Sequence, residues 1–158
     1  MKYCLSFCLL FFSLYGHTAE KSPIVPLVSL APHIANKMVV TAVESCTKRG
    51  YKVSAAVVGR DGNLLALLRN PLSGPHTIKV SQRKAFTSAS LQASTTQMQA
   101  RSDLSFAPGI LLIVGGLPIN VGGQFYGGIA VAGADPKIDE ACAADGIKAV
   151  KDELEFID

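Results

Sequence analysis

The chain has 158 residues, 49% of them hydrophobic and 17% charged, and a formal net charge of +3. That length suits one domain, and the apolar share excludes a disordered chain. The Lys and Arg residues form no run of five and no stretch interleaved with aromatics, which argues against a nucleic-acid partner.

The first segment stands apart. Lys2 precedes an apolar stretch over residues 4–15, and Gly16-His17-Thr18-Ala19 breaks it. The stretch is too short to cross a hydrocarbon core about 30 Å thick. Residues 1–19 therefore have the layout of a cleavable signal peptide, which directs the protein to the periplasm or outside the cell. Such a destination leaves no stable membrane span after cleavage. Cys4 and Cys8 leave with the signal, and Cys46 and Cys142 remain. An oxidising compartment favours a structural disulfide between them. The alternative, a reactive or metal-binding thiol pair, lacks the histidine cluster that a zinc site needs.

Residues 20–28 hold Pro23 and Pro26 among apolar residues and predict an extended arm, with the domain proper at 29–158. Ser29 is the expected N-cap of a first helix, with Pro32 in its first turn. Ile34, Met38, Val39, Ala42, Val43 and Cys46 recur at helical spacing up to Gly50. Residues 52–59 predict a strand, Asp61-Gly62 a tight turn, and residues 64–69 its antiparallel neighbour. Asn70 to Pro75 is a loop. Ile78, Val80, Ala85, Phe86, Ala89 and Leu91 then predict the apolar face of a second helix. Residues 94–103 predict a short third helix. Strands are expected over 110–114, 117–121 and 125–132, with a bulge or close backbone approach at Gly127-Gly128. A last helix starts after Asp135-Pro136, with Asp139 and Glu140 in its first turn, and runs towards Leu154. Together these elements predict an α+β fold, a five-stranded antiparallel sheet flanked by helices.

Six blocks of sequence carry a family resemblance. They are Val57 to Gly62, Gly74-Pro75-His76-Thr77, Ser81 to Thr87, Gly115 to Ile119, Gly127 to Ala134, and Asp139 to Ala143. In order and spacing they resemble the GlcG/HbpS family, also called the haem-degrading domain family, over roughly residues 29–150. The resemblance implies a profilin-like α/β sandwich, frequent homo-oligomers, and in some members haem binding or a link to haem and iron sensing through a sensor protein partner. Gly59 stands where many members carry Asp. The chain also has no Glu-x-x-Glu motif, which speaks against surface iron binding.

The leading site follows from His76, behind a Gly-Pro bend at the mouth of a helix. An imidazole there either ligates haem iron or caps the loop through one backbone hydrogen bond, and the helix start offers free N–H groups to a carboxylate. Thr77 and Ser81 add hydroxyls, Lys84 adds a cation, and Gly115-Gly116 either lets backbone approach a flat ligand or serves only as a turn. His33, in the first turn of the first helix, is a second and blander ligand candidate. Arg69 and Asp139 are expected either to pair or to line the pocket. No Gly-x-Ser-x-Gly, His-Glu-x-x-His or phosphate loop is present. The expected function is therefore an exported binder of haem or a related small acidic ligand. Its rivals are an enzyme acting on haem or a small 2-hydroxy or 2-oxo acid, and a non-catalytic oligomeric sensor partner.

Overall fold

The computed structural model describes residues 22–155. The predicted signal peptide lies outside the described residues. From Ser22 to Leu30 the chain has no regular element, and Ile24, Val25, Leu27 and Val28 are exposed, as expected of an arm interrupted by two prolines.

Helix α1 spans Pro32–Lys48, β1 Ser54–Gly59, β2 Leu64–Arg69, α2 Thr77–Leu91, β3 Gly116–Val121, β4 Gln124–Ala132, α3 Pro136–Lys148 and α4 Lys151–Glu155. All strand pairs are antiparallel, in the order β2-β1-β4-β3. The side chains of β1 and β4 alternate between two covered faces. Ala55, Val57, Ile129 and Val131 join α1 and α3 in the main core, while Ala56, Val58 and Ala130 meet Ala85 and Ala89 of α2. The result is an α+β sandwich with helices on both sides of the sheet.

Local chemistry explains most boundaries. α1 begins with Pro32 at its first position and Ala31, not Ser29, as N-cap; it ends before Gly50, which takes φ +88°. The Asp61 carboxylate accepts from the backbone N–H of Asn63 at 3.0 Å and from its side-chain amide at 2.7 Å, fixing the β1–β2 turn. Gly127 pairs with Ile119 and Phe125 with Asn120, so Tyr126 is the extra residue of a bulge in β4. A Cβ on Gly127 would lie 2.1 Å from the Val58 carbonyl oxygen, so the close approach expected there is real.

Three expectations are corrected. The sheet has four strands, not five. Residues 110–114 pair with no strand among the described residues. Instead α2 side chains hold them: Thr87 Oγ1 accepts from the Leu111 N–H at 2.8 Å, and Arg83 donates to the Ile110 carbonyl at 2.8 Å. Residues 94–103 form turns, then a 3-10 turn at Ser102–Phe106, because their polar side chains bond backbone instead. Ser94 exchanges hydrogen bonds with Gln97, and Thr95 Oγ1 accepts from the Gly116 N–H at 3.0 Å. The last helix breaks at Ala149-Val150 into α3 and α4.

The face of α2 also differs from its apolar pattern. Thr77, Ser81, Lys84, Ala85, Ser88 and Ala89 are buried, whereas Ile78, Val80, Phe86 and Leu91 are half-buried. The sheet decides this. A Cβ on Gly128 would lie 2.3 Å from the Ala85 carbonyl oxygen, so α2 rests directly on backbone and only short side chains fit beneath it.

Cys46 of α1 and Cys142 of α3 form a disulfide, with Cα atoms 5.6 Å apart across 96 residues. Beside it, Arg49 donates to Asp145 at 2.8 Å, and Ser45 bonds the same carboxylate oxygen.

Candidate functional site

A cavity of about 320 Å³ opens where the start of α2 meets the start of α3. His76, Thr77, Val80 and Lys84 line one side, Ala132 to Ala134, Pro136 and Asp139 another, and Ile113 the rim. Two helix N-termini therefore face one space, and their partial positive charges favour an anion.

His76 is the N-cap residue of α2 and makes no side-chain cap hydrogen bond. Its ring is exposed and has no hydrogen-bond partner among the described residues. It lies over Gly74, where a Cβ would come within 2.6 Å of Cε1; the glycine makes room for the imidazole. Thr77, directly below, is buried. Its Oγ1 donates to the Gly74 carbonyl at 2.7 Å and accepts from Ser54 and Ser73 Oγ at 2.7 Å each. Thr77 thus holds the bend that presents His76 and offers its own hydroxyl to the protein, not to a guest.

Lys84 is the second feature. Its side chain is 2% exposed and that of Asp139 3%. Nζ donates to Asp139 Oδ2 at 2.9 Å and to the Val131 carbonyl at 2.9 Å, while Asp139 Oδ1 accepts from the Ala134 N–H at 3.0 Å. The pair stitches α2, on one face, to α3, on the other, past the end of β4. Burial pushes Lys84 below the usual lysine range, against the pull of Asp139. Burial likewise pushes Asp139 above the usual carboxylate range, against the pull of Lys84. Of the two alternatives for Arg69 and Asp139, pairing does not occur: Arg69 bonds the carbonyls of Pro71 and Ser73, while Asp139 lines the cavity.

The remaining predicted residues sit around the cavity rather than in its wall. Ser81 is buried, and its hydroxyl donates to the Ile78 carbonyl at 3.0 Å. Gly115 takes φ +121°, and a Cβ there would lie 2.8 Å from Lys84 Nζ and 2.8 Å from the Asp139 Cβ. A Cβ on Gly116 would lie 2.6 Å from the Lys84 carbonyl oxygen. The two glycines close the strap of residues 110–115 over the ion pair. His33 is exposed and lines a different cavity, with Tyr126 and Leu154. Asp139 as the partner of Lys84 was missed in sequence. The available signal was Lys84 falling in register with Thr77, Ser81 and Ser88 on a small-residue stripe, which no exposed lysine needs.

Among the described residues no group of three or more His, Cys, Asp or Glu gathers to hold a metal ion, and no helix is long and apolar enough to cross a membrane.

Comparison with known proteins gives consistent results. A family model described as "Haem degrading protein HbpS-like" matches residues 30–148. Protein GlcG of Escherichia coli K12 is 31% identical over 110 residues, covering 66% of this chain and 82% of GlcG. The crystal structure of HbpS superposes with a TM-score of 0.77 at 35% identity, over 84% of this chain and 97% of HbpS. The structure of a PduOC–haem complex shares the fold, with a TM-score of 0.70 at 21% identity, over 77% of this chain and 95% of PduOC.

Proposed function

The chain belongs to the HbpS-like haem-degrading protein family, and from that membership we propose that it is an exported protein that binds haem or a related tetrapyrrole. The observation that carries this reading is His76: an exposed imidazole without a hydrogen-bond partner among the described residues, at the rim of a cavity. Haem iron commonly takes an axial histidine, so the donor fits the group. The cavity, about 320 Å³, is at the lower end of small-molecule pockets of about 300–1,000 Å³. It suits an edge or a side arm of the macrocycle, with the rest of the ring outside. The haem bound to PduOC, on the same fold, supports the choice of ligand. When bound, haem supplies its iron chemistry; His76 orients it, and Thr77, Ser54 and Ser73 hold His76 in place.

Export rests on the predicted leader, and the Cys46–Cys142 disulfide suits an oxidising compartment. Assembly into homo-oligomers or with a sensor protein remains part of the proposal on family grounds. The test is a haem titration followed by the Soret band. The expected outcome is a shifted band that weakens at least tenfold in affinity in His76→Ala. An unchanged spectrum and affinity in that variant removes His76 from the role. The enzyme reading instead requires the bound Soret band to decay with reductant and oxygen.

A further inference from the structure

The buried ion pair in the cavity has a chemistry of its own, which does not need iron. Lys84 is the one buried Lys or Arg among the described residues. Two of its N–H donors go to Val131 and Asp139, and the third has no acceptor among the described residues. Ile78 and Lys79, in the first turn of α2, also have no backbone acceptor for their N–H groups among the described residues, while Thr77 and Val80 have theirs. The Ile78 and Lys79 amides belong to the helix turn that carries the lining residues Thr77 and Val80, and Lys84 brings a buried ammonium with a donor to spare into the cavity wall; such donors recognise an anion.

The pair itself is electrically neutral. A carboxylate entering beside it adds a net negative charge to a place shielded from water. It also puts two carboxylates around one ammonium, and like charges at that range do not both stay ionised. Taking up one proton removes both costs.

We propose that the Lys84–Asp139 pair is the seat for one carboxylate of an acidic ligand, and that Asp139 takes up a proton as that carboxylate binds. The ligand's oxygens replace Asp139 Oδ2 as the acceptor of Lys84, and the protonated Asp139 keeps its contact with Ala134. The proton comes from solvent, so one carboxylate and one H⁺ enter together. This rests on the reading of the cavity as a ligand site. Few other charges face the pair. α2 contributes His76; α3 contributes Asp135, Lys137 and Glu140 near its start, the last two lining the neighbouring cavity. β4 offers a carbonyl, and the strap of residues 110–115 has no titratable side chain.

The carboxylate has two available sources, a free small acid and a propionate arm of haem. Propionate serves as the free probe, titrated by NMR into isotope-labelled protein. The expected result is amide shifts at Ile78 and Lys79, with a Kd that rises up to tenfold per pH unit between pH 6 and 8. Asp139→Asn removes the pH slope, and His76→Ala keeps it. Calorimetry on the unaltered protein in buffers of different ionisation enthalpy gives a second measure that needs no variant: one proton taken up per propionate. A wild-type Kd independent of pH, or no proton uptake, overturns the proposal. In the second arm, iron protoporphyrin IX is compared with its dimethyl ester. Tenfold weaker binding of the ester assigns the seat to a haem propionate; equal binding with the propionate shifts intact assigns it to free acids. Absence of both effects overturns it, even if the Soret shift persists. Propionate shifts with no Soret change in either porphyrin sink the haem reading and leave the seat standing.

Discussion

On the face that carries α1 and α3, Ile129 and Val131 of the sheet meet Met38, Val39 and their neighbours, and a disulfide ties the two helices. On the other face α2 lies on Ala56, Ala130 and the bare backbone of Gly128, with hydroxyls and a buried lysine between helix and sheet. The first face is held by volume and apolar area; the second is held by close approach and by polar groups that must all find partners. The cavity sits at the end of the second face. A ligand site needs groups with capacity to spare, and a dry aliphatic layer supplies none.

Substitutions separate the two faces. The largest effect is expected from breaking the ion pair. Lys84→Ala or Asp139→Ala alone leaves a buried charge without its partner and costs about 3–5 kcal/mol, read from urea denaturation. The double change Lys84→Met with Asp139→Leu restores most of that loss. A single variant as stable as the parent would mean that the pair is not buried in solution.

Removing the bridge of the first face is expected to cost about 2–4 kcal/mol in the Cys46→Ala, Cys142→Ala double variant. Haem affinity should be unchanged, because Cys46 and Cys142 lie outside the cavity. A parallel loss of affinity would couple the faces more tightly than their packing implies. Gly128→Ala comes next. Its Cβ has to push against the Ala85 carbonyl oxygen, and overpacking of this kind costs about 1–3 kcal/mol. It should also shift α2 on the sheet and disturb the Soret spectrum.

The smallest effects are those of pH. Hydrogen bonding to Ser45, then the Arg49 contact, holds Asp145 below the usual carboxylate range. Its contribution is present above the unfolded carboxylate's range and is lost as pH falls through the lower folded value. Asp139 is raised by burial, so its sign is opposite: stability is greatest below its ordinary range and declines as pH rises through the higher folded value. Asp145→Asn should therefore flatten the acid limb of a stability–pH curve. Asp139→Asn should remove a decline at higher pH. Identical curves for the two variants would contradict the assignment.

Some of this protein was legible residue by residue. The β1–β2 hairpin follows from Asp61-Gly62, the span of α1 from its periodicity and Gly50, and the exposed place of His76 from the Gly-Pro bend before it. These are local matters, decided within a few residues by backbone preference and side-chain hydrogen bonds. The disulfide was also foreseen, because the predicted export route leaves only two cysteines to pair. Three features required the tertiary structure. Residues 110–114 have the composition of a strand, but a strand needs a neighbour, and Thr87 and Arg83 take up part of that backbone first. The buried side of α2 was misread because apolar size marks the inner face only where there is room for it, and the small residues of β1 and β4 leave none. Lys84 and Asp139 are 55 residues apart. No spacing rule joins them; their meeting is a product of helices on opposite faces converging past one strand end, where a charge survives only if the fold delivers its counter-charge.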